Sequence, residues 1–390
     1  MYPSAVVAFC LLIWVFGREN VNPYKYFVLG IKYCLMTLES VKDSSIDVRK
    51  GAKPKSEIIP ITFCEVRKEN IQRYFFGSYF KYTFALILTT IVSLLISIAI
   101  GFFKIYEQAN YYCLIVLISL LIIMRFGSMA SSYKRVNIVF SLSFSVFYTL
   151  ASWFILSKYS LGAYDIRPII FSVTDTSKTL INICISIFIG FLAHSLSYPM
   201  LKNFQSYSKI ANIRTPINLY SFCFEAIKSI NGFPMRMLKF IYIMCPWFSI
   251  IFFFIRNYTQ SKNFDILYDS LYLGIIFAIS FYKLFYVKNE IRLIINDSFE
   301  AYRNYETKRT IKSGKKAVIS FYQTERMIMI YATSLVIGPS INIIMALMYV
   351  SSFFMSGVAQ SIGRVLPLFI VLCTDFIMSS SKLLPITLTQ

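Results

Sequence analysis

Three ionisable residues lie inside apolar stretches that are long enough to cross a membrane: Arg125, Lys283 and Asp375. A charge at the centre of a bilayer costs about 2.5–3.5 kcal/mol unless it reaches water or a partner. Arg125 and Lys283 have long side chains near the predicted cytoplasmic ends of their helices, so both could snorkel towards the headgroups. Asp375 is short and nearer the middle, and we predict that it pairs with Arg125 or Lys283. Such a pair is a structural ion pair or, alternatively, an ion or proton relay.

The segment IGPSIN places an amide one turn after a helix-breaking pair. Pro339 removes a helical hydrogen bond and, with Gly338, is a candidate kink. Interrupted helices beside polar side chains are typical of transport sites, so Asn342 joins the candidate intramembrane polar centre. The alternative is a kink without a role in transport, because prolines are common in membrane helices.

Signatures of catalysis are missing from the chain. It has no HExxH, GxSxG or GxxxxGK[ST] motif, one histidine (His194), and eight cysteines without CxxC spacing. Metal and nucleophile sites need such clusters. We therefore predict no enzymatic activity, no metal site and no cofactor.

The composition indicates an integral membrane protein. Of the 390 residues, 57% are apolar and 15% charged, where a soluble protein has about a quarter of its residues charged. Eight apolar segments approach the length of about 20 residues that crosses a bilayer, and they predict an all-α, multi-pass helical bundle. The segments are 82–103, 111–131, 136–157, 179–199, 240–255, 270–287, 327–354 and 365–381.

The chain divides into three regions on this basis. Residues 1–17 form a short hydrophobic segment that is signal-like or an interfacial anchor, because the apolar run 4–16 is too short to span. Residues 18–81 form a basic juxtamembrane region with a linker-like VRKGAKPKSEIIP stretch. Residues 82–381 hold the transmembrane bundle. Within it, the 288–326 loop predicts an amphipathic helix that continues the sixth span, and KRTIKSGKK predicts a glycine turn.

The net charge of +20 is distributed unevenly between alternate loops. Residues 18–81, the loop 288–326 and the C-terminus fall on the side with most Lys and Arg, which predicts that they are cytoplasmic. Their expected partners are anionic lipid headgroups, and we predict no nucleic-acid partner. The sequon Asn257-Tyr-Thr falls on the opposite side and is a candidate glycosylation site.

Four predicted spans carry small or polar residues at every fourth position. Such stripes let membrane helices approach closely, and a polar pathway is the alternative interpretation. The stripes are Thr89, Ser93, Ser97 and Gly101; Ser141, Ser145 and Thr149; Asn182, Ser186 and Gly190; and Ser334, Gly338, Asn342 and Ala346.

Several stretches together resemble the transmembrane protein 161 family. They are VRKGAKPK, FLAHSLSYPMLKNFQSY, YKLFYVKNEIRLIINDSFEAYRNYETKR, QTERMIMIYATSLVIGPSINIIMALM and LPLFIVL. The resemblance implies a helical multi-pass protein without an established enzymatic activity, broadly associated with ion homeostasis and excitability. It supplies no catalytic residues.

The leading functional hypothesis is a membrane protein that mediates or modulates ion flux, either alone or with a channel or transporter as partner. One alternative is an invertebrate chemosensory-type receptor channel, although the last span lacks the Thr-Tyr…Gln-Phe signature of that class. Another is a scaffold that acts through its cytoplasmic helix and moves no solute. The span lengths fit the endoplasmic reticulum and the plasma membrane equally, and the sequence leaves the oligomeric state open.

Overall fold

The computed structural model describes residues 10, 14, 24–44, 62–67, 75–102, 135–158, 179, 182–194, 233–258, 262–354, 360, 363–364 and 366–375. Most of these residues are helical, as predicted. The elements are α1 (Tyr24–Val28), β1 (Lys32–Leu35), α2 (Leu38–Ser44), β2 (Thr62–Glu65), α3 (Phe75–Phe102), α4 (Arg135–Lys158), α5 (Asn182–His194), α6 (Phe233–Tyr258), α7 (Lys262–Lys308), α8 (Ile311–Ser351), a short 3₁₀ turn (Ser352–Phe354) and α9 (Leu366–Asp375).

Three helices in the described part of the chain are long and apolar enough to cross a membrane: Thr83–Phe102, Ile266–Lys288 and Leu335–Phe354. They coincide with the predicted first, sixth and seventh spans. The shorter apolar helices Leu142–Phe154, Asn182–His194 and Leu366–Asp375 fall within the third, fourth and eighth. Helix α6 contains the fifth, and the second (111–131) lies outside the described residues. The count of eight spans stays a prediction.

Helices α7 and α8 form a hairpin that is much longer than a bilayer is thick. α7 runs unbroken for 47 residues, about 70 Å at 1.5 Å per residue, against about 30 Å of hydrocarbon. α7 thus continues without a break beyond the predicted sixth span, as far as Lys308. From Lys288 to the end of α7 at Lys308 the hairpin extends about 30 Å further.

The turn of the hairpin lies at Arg309 and Thr310, so the predicted glycine turn is wrong. Arg309 adopts a positive φ of 41°, and the Thr310 side chain caps α8 by accepting a hydrogen bond from the Ser313 amide at 3.3 Å. A threonine N-cap satisfies an amide that would otherwise lack a partner at the start of a helix. Gly314 lies inside α8, where a Cβ would meet Val41 and the Tyr305 ring. The close approach of these two side chains explains why glycine occupies this position.

The second half of α8 is the central helix of the bundle. Every residue from 335 to 346 is buried, as expected for a helix that is apolar on all sides. It packs into the membrane core, which we define as the buried apolar cluster drawn from α3 to α9. Its members include Leu94, Phe144, Leu192, Phe252, Tyr272, Ile344 and Leu372.

Large apolar side chains also point outwards from the surrounding helices. On α6 the exposed positions recur every three or four residues: Phe240, Met244, Trp247, Ile251 and Ile255. Soluble proteins rarely expose a continuous apolar surface of this kind. An apolar outer surface around a buried central helix fits a protein whose bundle lies in lipid.

The N-terminal region folds onto the extended part of the hairpin. β1 and β2 pair antiparallel in the register Lys32↔Glu65 to Leu35↔Thr62, a ribbon absent from the all-α prediction. Together with α1 and α2 it covers the hairpin and forms the cap core, whose members include Val28, Ile31, Tyr33, Val41, Tyr302, Tyr305 and Phe321. This contact places part of region 18–81 at the same end of the bundle as loop 288–326. Of segment 1–17 only residues 10 and 14 are described, and the linker 48–60 lies outside the described residues.

Candidate polar centre of the bundle

Asp375 is buried among hydroxyl groups from two other helices. Its carboxylate, 2% exposed, accepts a hydrogen bond at Oδ2 from Ser249 Oγ at 2.8 Å and from the Tyr272 hydroxyl at 3.3 Å. The two hydroxyl oxygens are themselves 2.9 Å apart. One carboxylate oxygen and two hydroxyls therefore join α6, α7 and α9, and we call these three residues the Asp375 cluster.

Aromatic rings enclose the Asp375 cluster on the side of α6 and α7. Phe252 stacks on Tyr272 with ring centroids 4.0 Å apart and on Tyr268 at 5.4 Å, while Phe248 stacks on Tyr272 at 5.7 Å. These rings pack against Tyr272 and orient its hydroxyl. In such surroundings, hydrogen bonds to a charged group strengthen because the local dielectric is low.

Lys283 does not reach the surface in the way that snorkelling requires. It is 3% exposed, and α7 continues for another 25 residues to Lys308 instead of ending at the membrane boundary. It lies 11 residues from Tyr272, about 16 Å along the helix axis. Lys283 and Asp375 therefore lie at different depths of the bundle. Arg125, the other predicted partner, lies outside the described residues, so its pairing with Asp375 stays a prediction.

The candidate kink lies within one continuous helix. α8 runs from Ile311 to Ser351 through Gly338 and Pro339 without a break. Pro339 has no amide hydrogen to donate to the Leu335 carbonyl. At the next carbonyl, that of Val336, the Ser340 hydroxyl donates a hydrogen bond at 2.7 Å. Asn342, two residues further on, is 2% exposed. Asn257 lies in the last turn of α6.

Two of the predicted small-residue stripes pack against each other. Ser145 on α4 donates from its hydroxyl to the Gly190 carbonyl on α5 at 2.7 Å, and a Cβ on Gly190 would collide with the Thr149 hydroxyl. On α3, a Cβ at Gly101 would lie 2.5 Å from the Phe354 side chain. The interpretation of these stripes as packing surfaces is confirmed at both places.

Three buried side-chain atoms have no hydrogen-bond partner among the described residues: Ser280 Oγ on α7, Asn342 Oδ1 on α8 and Arg364 Nε. Other buried hydroxyls in the bundle bond to the carbonyl four residues earlier, as Thr89 does to Ala85 and Thr374 to Ile370. The sequence points to Asn342 through its place beside Pro339 and gives no signal for Ser280, because a single serine in an apolar helix usually bonds to its own backbone.

No cluster of three His, Cys, Asp or Glu side chains that could hold a metal ion occurs in the part of the chain that the structure describes. Comparisons of the chain with protein-family models, curated proteins and solved structures find no match. The resemblance to the transmembrane protein 161 family stays an expectation from the sequence.

Proposed function

We propose that this chain is an integral membrane protein that mediates or modulates ion flux, and that the Asp375 cluster is part of its polar centre. The observation that carries this proposal is a carboxylate at 2% exposure, held by hydroxyls inside an apolar bundle. An acidic side chain in a membrane-spanning segment is costly and typically marks an ion or proton pathway.

The hydroxyl geometry supports a role in moving protons or binding cations. The Tyr272 hydroxyl lies within hydrogen-bond distance of Ser249, and Ser249 of Asp375. This order forms a short chain along which a proton can pass from a phenol through a serine hydroxyl to a carboxylate. The same three oxygens are donors of the kind that bind a small, hard cation. A structural tie between α6, α7 and α9 is the competing role.

The test is ion flux through the purified full-length chain in liposomes, with Asp375→Asn beside the unchanged protein. Neutralising the carboxylate removes the charge and keeps the shape, so we expect flux above empty liposomes that falls or changes its ion preference in Asp375→Asn. Thr374→Val is the matched control, because Thr374 is equally buried and its hydroxyl, among the described residues, bonds to Ile370 of its own helix at 2.7 Å.

Three results separate the roles. Flux that changes in Asp375→Asn and persists in Thr374→Val supports a pathway through the Asp375 cluster. Equal flux in all three proteins makes the cluster a structural tie. Absence of flux, together with a lower unfolding temperature for Asp375→Asn, contradicts a conducting role and leaves modulation of a partner or scaffolding.

The hairpin supports the second candidate function, a scaffold that moves no solute. Its tip exposes basic side chains about 30 Å beyond Lys288, among them Lys308, Lys312, Lys315 and Lys316. At physiological salt, charges act over only about 8 Å, so this tip is placed to meet an acidic surface of a partner such as a channel or transporter. Anionic headgroups are the partner that we propose for basic residues close to the spans.

A further inference from the structure

We propose that a single water molecule is bound between α7 and α8 at the level of Pro339, held by Ser280 Oγ and Asn342 Oδ1. Both groups are buried, at 0% and 2% exposure, and neither has a hydrogen-bond partner among the described residues. A buried polar atom without a partner costs about 1–3 kcal/mol, and proteins commonly satisfy such groups with an internal water.

Asn342 lies on the face of α8 that packs against α7. The buried residues Phe321, Ile328, Leu335, Asn342 and Tyr349 recur at intervals of seven, the spacing of a helix-packing seam. Both ends of this seam touch α7: the Phe321 ring lies 6.2 Å from that of Tyr302, and the Tyr349 hydroxyl donates to the Ile266 carbonyl at 3.5 Å. The seam therefore carries Asn342 to the α7 interface.

Ser280 lies on the matching seam of α7. Its neighbours Leu273, Ile276, Lys283 and Val287 recur at three- and four-residue spacing, and all are buried. The contacts of Tyr302 with Phe321 and of Ile266 with Tyr349 bracket the antiparallel register. Interpolation between them places Ser280 opposite about residue 338, one turn from Asn342.

Pro339 supplies a third polar group at this height. Because proline has no amide hydrogen, the Leu335 carbonyl loses the donor that a regular helix would give it. A water can donate its two hydrogens to the Leu335 carbonyl and Asn342 Oδ1 while accepting from Ser280 Oγ. Three partners are the usual number for a buried water. A cation fits less well, because the buried Lys283 lies one turn away on the same seam.

The site is independent of ion flux and of the Asp375 cluster, so its test uses a different measurement. Hydroxyl-radical footprinting by X-ray radiolysis oxidises side chains next to bound water, and segment 335–346 is wholly buried. We expect oxidation in this segment of the full-length protein and its loss in the double variant Ser280→Ala/Asn342→Leu. Ser340→Ala is the control, because the Ser340 hydroxyl already bonds to Val336; this variant keeps the oxidation.

Unfolding temperatures give a second readout. Removing one ligand of a shared water already costs most of the interaction. We therefore expect the unfolding temperature of the double variant to fall by less than the sum of the falls in the two single variants. Strictly additive losses, no oxidation in the unchanged protein, or oxidation that persists in the double variant would each overturn the proposal. The unfolding temperature in Na⁺ is also compared with that in N-methylglucamine. If Na⁺ raises it in the unchanged protein but not in the double variant, the site binds a cation instead of water.

Discussion

Buried hydroxyl groups in this bundle differ in whether they bond only to the backbone of their own helix or also to a group on another helix. Thr89, Thr90 and Ser186 donate to carbonyls four residues earlier in their own helices. Ser145 bonds to another helix, and Ser249 bonds to other helices as well as to the Cys245 carbonyl of its own helix. A hydroxyl of the first kind can be replaced with little effect on packing, whereas one of the second kind fixes how two helices meet. Ser280 belongs to neither kind, which is why it suggests a bound molecule.

Gly190 offers the sharpest test of packing at the residue scale. A Cβ there would collide with the Thr149 hydroxyl and lie 2.9 Å from the Ser145 carbonyl. We expect Gly190→Ala to destabilise the protein by about 1–3 kcal/mol, the usual cost of overpacking. Thermal unfolding of the purified protein, followed by tryptophan fluorescence, measures the change.

Gly274 on α7 is the matched control for Gly190. No atom of the described residues lies within 4 Å of a Cβ added there, and alanine is the better helix former by about 1 kcal/mol. Gly274→Ala should leave the unfolding temperature unchanged or raise it. Equal losses in the two variants would show that the loss reflects glycine removal in general and not the contact between α4 and α5.

The hairpin of α7 and α8 is the element on which the rest of the molecule is assembled. Its membrane half forms the centre of the membrane core, and its extended half carries the cap core. Lys288, where the two halves meet, ties the cap to α7: its ammonium donates to the Leu29 carbonyl at 2.7 Å. The cap is also held by the Tyr305 hydroxyl, which donates to the Val41 carbonyl at 3.4 Å.

Gly314 tests whether the cap depends on close contact with the hairpin. A Cβ at this position meets the Val41 side chain and lies 3.0 Å from the Tyr305 ring. We expect Gly314→Val to displace α2 and to speed amide hydrogen exchange in residues 24–44, with exchange in α3 unchanged. Local opening of this kind costs less than global unfolding, so exchange resolves it.

Lys315→Val serves as the control, because Lys315 is exposed and receives the same side chain one residue further along α8. Exchange in residues 24–44 should then match that of the unchanged protein. Faster exchange in both variants would indicate a loss of helix stability in α8, since valine is a poorer helix former than lysine. That outcome would contradict a role for the contact itself.

Over the whole molecule, the cap places part of the basic region 18–81 and the basic loop 288–326 at the same end of the bundle. The charge distribution predicts that this end is cytoplasmic, and the cap core shows only that the two regions lie together. The opposite end of α7 begins at Lys262. These positions define a labelling experiment on membrane sidedness.

Sealed microsomes, whose cytoplasmic face points outwards, provide the measurement. We expect Lys42→Cys and Lys315→Cys each to add one modification by a membrane-impermeant maleimide in intact vesicles, relative to the parent protein. Lys262→Cys should react only after permeabilisation. Opposite accessibility of Lys42→Cys and Lys315→Cys would contradict the cap, and reaction of both only after permeabilisation would reverse the predicted orientation.

The sequence by itself determined the helical membrane character, the helix that continues beyond the sixth span, the packing stripes, and the burial of Asp375. Each of these follows from local composition and periodicity, because a charge-free run of about 20 apolar residues has few other solutions than a spanning helix. Asp375 could be selected on type and position alone, since a short acidic side chain at membrane depth needs a partner wherever it lies.

Only the tertiary structure decided which groups meet. The hydroxyls of Ser249 and Tyr272 lie 126 and 103 residues from Asp375 along the chain, and no local pattern specifies a contact over that distance. The pairing of β1 with β2, the central place of α8 and the contact of Ser145 with Gly190 are likewise set by how the elements pack. The physical reason is that periodicity fixes the face that a helix buries, while the neighbour on that face depends on the shapes of all the other helices.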